Sequence, residues 1–94
     1  MSQKNDLKPD DIVTKKKNVV CRFLDERAIL LAPGYHHPFR LNEMGTRIWQ
    51  LMDHHSRVDD LIDSVYGFYQ VDRDEVVPDI ISFLSKLMEK KLIK

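Results

Sequence analysis

The stretch FRLNEMGTRIWQLM, Phe39 to Met52, changes within one residue from the period of a strand to that of a helix, and Asn42 stands at the change. Before it, from Ile12 to Leu41, apolar residues come in short β-branched runs broken by turn formers: NVVCRFL, DER, AILLA, PGYHHP and FRL. That order reads as two strands, a turn and a short third strand. Asp25, Glu26 and Arg27 form the expected hairpin turn, and Pro38 keeps the third strand short and at a sheet edge, because proline cannot donate to a ladder. After Asn42, Met44, Ile48, Leu51 and Met52 recur with Trp49 at helical spacings, one apolar face that the asparagine can cap.

Two more helices follow. In SRVDDLIDSVYGFYQV, Ser56 with Asp59 three residues on resembles a capping box, and Val58, Leu61, Ile62, Val65, Tyr66 and Tyr69 make an inward stripe. The last helix starts at DRDE, with Asp72 as cap and Glu75 three residues later. Pro78 lies too deep for a first-turn proline, so the helix either kinks there or becomes regular near Val77. Its apolar positions fill two rows of the same spacing: Val76, Ile80, Phe83 and Leu87, and beside them Val77, Ile81, Leu84 and Met88. One row packs the core. The other either widens the core face or lines a groove.

A chain of 94 residues, 43% apolar, has enough hydrophobic material for one core and no second domain. Residues 1–11 are mostly polar and read as a flexible N-terminal tail, with a single domain over 12–94. The formal net charge is zero, but residues 1–50 carry nine Lys or Arg against six acids, and residues 51–94 six against nine. This modest dipole suits a protein partner better than nucleic acid, although Lys15, Lys16 and Lys17 could touch phosphates. The lone Cys21, a start without a secretion signal, and the lack of a run near the roughly 20 apolar residues of a bilayer span point to a cytoplasmic protein without membrane contact.

Catalytic signatures are missing: the chain contains no nucleophile elbow, phosphate loop, dinucleotide fingerprint or metalloprotease motif. His36 with His37 and His54 with His55 invite a metal reading. Neighbours in an extended segment point to opposite faces, however, and no acid or Cys is spaced to complete either pair. Cys21 in an apolar strand reads as a small core residue. The expectation is a protein that is not an enzyme and has neither metal nor cofactor.

Taken together, LNEMGTRIWQLMD and RVDDLIDSVYGFYQVDRDEVVPDIISFLSKLMEKKLI resemble the PqqD family, the pyrroloquinoline quinone synthesis protein D and its relatives. The resemblance covers about residues 19–94. It rests on a Leu-Asn-x-x-Gly-x-x-x-Trp box at Leu41, Asn42, Gly45 and Trp49, and on Asp79, Ile80, Phe83, Leu84 and Leu87 in the last helix. Lys91, where a glycine is usual, and Pro78 depart from the pattern. The resemblance implies an α+β, winged-helix-like fold, a three-stranded antiparallel sheet followed by three helices. It also implies an adaptor that binds the leader segment of a ribosomally made precursor and presents it to a modifying enzyme, such as a radical S-adenosylmethionine protein or a leader peptidase.

On that reading the leader adds a strand to the third strand, at His37, Phe39, Arg40 and Leu41. Val77, Ile81, Leu84 and Met88 form the opposite wall, and Arg40 and Lys91 pair with acidic leader residues. Leu84→Asp or Ile81→Asp would then abolish binding without unfolding the protein. A winged-helix nucleic-acid binder is the alternative, and a homodimer paired through edge strands stays open.

Overall fold

Strand pairing starts from a turn of two residues. In a computed structural model that describes residues 7–69 and 72–94, Asp25 and Glu26 have φ of 54° and 67°, and Leu24 faces Arg27 directly. Two positive φ angles give the hairpin the twist of its flanking strands, Val20–Leu24 (β1) and Arg27–Leu31 (β2). Arg27, expected in the turn, is thus the first residue of β2. Because a side chain in the left-handed region is strained, Glu26→Gly is expected to stabilise the fold by about 1 kcal/mol, read as a higher urea midpoint at unchanged slope.

The third strand, Phe39–Arg40 (β3), pairs with the far side of β2, so the order is β1-β2-β3 and both outer strands are edges. Directly opposed residues share a face. Ala28 and Leu30, with Cys21 and Phe39 opposite Leu30 on either side, turn inward; Val20, Arg22, Leu24, Ile29, Leu31 and Arg40 turn out. Burial raises the Cys21 thiol above its ordinary pKa, Lys15 opposing it, so the cysteine is a protonated packing residue at neutral pH.

Three helices follow, Glu43–Leu51 (α1), Val58–Phe68 (α2) and Arg73–Glu89 (α3); α1 packs on β2, and α2 packs between α1 and α3. The Asn42 side chain accepts the Gly45 N–H at 2.7 Å, the expected cap. Buried Thr46 accepts the Ala28 N–H at 2.8 Å through Oγ1, which ties α1 to β2, and Ile48 and Trp49 enter the common core.

Helix α2 closes differently from the capping-box expectation. Arg57 is its N-cap residue and makes no side-chain cap bond; instead Val58 and Asp59 donate their N–H groups to the carbonyls of Asp11 and Pro9, at 2.9 and 3.0 Å. Ser56 contributes its backbone carbonyl instead, which accepts the Val13 N–H at 2.8 Å. Residues 7–11, expected in the tail, therefore complete the end of a helix, and Leu7 is half-buried against the core. Residues 1–6 of that tail lie outside the described residues. The chain then runs along the C-terminus, where Thr14 and Lys94 exchange two backbone hydrogen bonds of 2.8 Å.

Helix α3 runs unbroken through Pro78. The proline is exposed, and the helical carbonyl it leaves without a donor belongs to exposed Asp74 in the first turn, where water can serve instead. At the other end Lys91 adopts φ 62°, with Leu92 N–H donating to Leu87 and Lys91 N–H to Met88. That is the Schellman arrangement, which favours glycine at this position. Lys91→Gly is expected to raise stability by about 1 kcal/mol in the same urea measurement, because it relieves a left-handed lysine.

Candidate functional site

The free edge of β3 is shorter than its two residues suggest. Leu41 donates its N–H to Ala28 on β2, and backbone groups alternate along a strand, so Arg40 turns both its N–H and its C=O away from the sheet. Pro38 has no N–H to add. One donor and one acceptor, both on Arg40, are thus available to a fourth strand, together with the Pro38 carbonyl.

Beside this edge lie two cavities strung along one face of α3. The first, of about 470 Å³, lies between the β2–β3 connection and the end of α3; Leu30, Tyr35, His37, Phe39, Lys90 and Leu92 are among its lining residues. Tyr35 donates its hydroxyl proton to the Lys90 carbonyl, which pins the connection to the helix end, and the Lys90 ammonium sits 5.8 Å from the Phe39 ring centroid. The second, of about 390 Å³, lies between α1 and α3 and is lined by Met44, Gly45, Ile48, Asp79, Phe83 and Lys86, among others. Asp79, Phe83, Lys86 and Lys90 follow one another at i, i+4, i+7 and i+11, so a single flank of α3 walls both cavities. A Cβ on Gly45 would stand 2.9 Å from the Phe83 ring, hence the glycine one turn into α1: it lets the aromatic approach the helix backbone closely.

The structure redistributes the residues expected to form the groove. His37, Phe39 and Arg40 are at the edge or line the first cavity, as the sequence suggests. Leu41 is core, 4% exposed, and Leu84 is core at 0%. Val76, Ile80, Leu84 and Leu87 make the buried row of α3, so Leu84 and Phe83 exchange the places the sequence reading assigned them. Val77, Ile81 and Met88 are half-buried against the core on the flank of α3 opposite Asp79 and Lys86, and line neither cavity. Lys91 serves the helix end. The groove wall that sequence reasoning missed is Phe83, Lys86 and Lys90; the signal was Gly45, a small residue placed to admit a large one.

Other candidates are tied up or scattered. Lys15 pairs with Asp53 at 2.7 Å and lies 4.6 Å from the Trp49 ring, so the first of the three lysines is held against the protein. Among the described residues no group of three His, Cys, Asp or Glu converges as for a metal ion, and no helix is long and apolar enough to cross a membrane.

A three-stranded sheet whose β3 edge lies open beside an apolar cleft, followed by three helices, defines an α+β domain of the kind that receives an extended chain. The family described as coenzyme PQQ synthesis protein D (PqqD) matches over residues 27–93, and this chain belongs to it. TbiB1, solved in complex with the TbiA(beta) leader peptide, is 31% identical, with a TM-score of 0.78 over 86% of this chain and 94% of that one. The solution structure of the PqqD truncation of Methylobacterium extorquens PqqCD, a stand-alone recognition element for ribosomally synthesized and post-translationally modified peptides, shares the fold. Its TM-score is 0.79 at 22% identity, over 97% of both chains. Lasso peptide synthetase B1, complexed with its leader peptide, superposes at 0.75 and 22% identity over 89% of this chain and 99% of that one. Comparison with curated protein sequences returns no match.

Proposed function

We propose that this chain is a leader-peptide adaptor without chemistry of its own: it holds the leader of a ribosomally made precursor as a fourth strand beside β3 and presents it to a modifying enzyme. The observation that carries this reading is the coincidence of an open backbone edge at Arg40 with an apolar cavity under Phe39. Main-chain hydrogen bonds at Arg40 set the strand's direction, and alternate leader side chains drop toward Phe39 and Phe83. Lys86 and Lys90 outnumber Asp79 along the cleft, so a leader with carboxylates between its apolar residues is favoured and its binding weakens as salt rises.

Titrating the isotope-labelled protein with synthetic leaders from neighbouring precursor genes tests this. Amide shifts are expected at residues 37–41 and 82–90, with a Kd of about 1 µM or tighter. Shifts confined to residues 12–17 on addition of duplex DNA, with no leader bound, would replace this reading by the nucleic-acid one.

A further inference from the structure

The sheet has a second exposed surface, the face turned away from the helices. Three rows cross it: Val20 opposite Leu31, Arg22 opposite Ile29 opposite Arg40, and Leu24 opposite Arg27. Val20 and Leu31 are 48% and 39% exposed, and Leu24 beside them 57%. At the hairpin end Leu24, Arg27, Ile29 and Arg40 line a depression of about 430 Å³, with Asp25 of the turn its one carboxylate. No strand residue on this face is acidic, and none of its three arginines forms an ion pair with a described residue. Apolar side chains interleaved with unpaired guanidinium groups have the composition of an interface centre, where arginine is enriched and other charges are depleted.

From this pattern we infer that the outer face of the sheet docks a protein surface bearing carboxylates around apolar side chains, and that this surface belongs to the enzyme that modifies the precursor. A second copy of the chain fits poorly. Face-to-face pairing would set arginines against arginines, while the chain's own carboxylates cluster on α2 and the start of α3, a contact between unlike surfaces that does not close into a dimer. Nucleic acid fits poorly too, since three cations separated by exposed aliphatics offer few phosphate contacts. Position selects the enzyme, and here the inference rests on the leader reading: a strand added at Arg40 extends this same face, so a protein docked across Arg22 and Ile29 also touches the outward side chains of the leader.

The test uses the full chain, synthetic leader and the purified peptide-modifying enzyme encoded beside it. Arg22→Glu combined with Leu31→Asp changes two exposed residues remote from the cleft; Arg22→Glu alone serves if the pair fails to fold. The expected result is a loss of tenfold or more in enzyme affinity, a leader Kd within twofold of wild type, and wild-type enzyme binding that falls with salt. Enzyme affinity unchanged by the variants overturns the inference, as does a wild-type dimer that the variants dissolve, or duplex DNA binding that they remove. If the wild type binds enzyme but no leader, the adaptor reading fails by itself; if it binds leader and the variants keep full enzyme affinity, only the outer-face assignment fails.

Discussion

Leu84→Asp is expected to unfold this protein rather than to empty its cleft. Leu84 has no exposed surface and stands in the buried row of α3 between Ile80 and Leu87. Truncating such a leucine alone costs about 2 to 5 kcal/mol, and seating a carboxylate there adds a desolvation penalty that no neighbouring cation offsets. Against the roughly 5 to 15 kcal/mol that stabilises an ordinary domain, a loss above about 5 kcal/mol leaves little folded chain at 25 °C. Far-ultraviolet circular dichroism and a urea titration read this directly. A native spectrum with a midpoint near wild type would mean that α3 presents another face to the core.

Phe39→Asp is expected to do the opposite, keeping the fold and losing the leader. Phe39 is half-buried against the core on the inner face of a two-residue edge strand, where it lines the cavity beside Lys90, so its replacement costs less than that of a fully buried residue. An aromatic at the centre of a binding cleft commonly contributes about 2 to 4 kcal/mol, so leader affinity should fall by about 100-fold while the spectrum stays native. Ile81→Asp is the informative control. It lies on the other flank of α3 and should lower stability with leader affinity unchanged, the reverse of what the sequence pattern implies. Equal loss of leader binding in both variants would put the leader against the wrong side of the helix.

The elements were legible in the sequence because each rests on local periodicity. The change of period at Asn42, the cap at the same residue and the short edge strand after Pro38 all stand in the structure as the pattern implies. What was not legible depended on partners distant in sequence. Ser56 looked like a cap for α2, but Pro9 and Asp11 supply the acceptors from nearly fifty residues away, and nothing in SRVDD signals it. The rows of α3 were misassigned for a finer reason. Residues 83 and 84 flank the helix midline almost symmetrically, and Gly45 across the cleft decides which of them turns inward, by making room for the Phe83 ring. A helix wheel carries no information about the surface it meets.

The shortness of β3 has a consequence for how precursors are told apart. An edge of five or six residues would hold almost any extended chain through its backbone and so treat unrelated sequences alike. Here the edge offers only the N–H and C=O of Arg40 and the Pro38 carbonyl, and the net worth of such bonds is about 1 to 4 kcal/mol, well short of a micromolar complex. The remainder must come from side chains fitting the two cavities at a fixed separation along α3. Two pathways of this kind can therefore coexist in one cell with little crosstalk, and transplanting a leader between them should require moving only the few residues that fill those cavities.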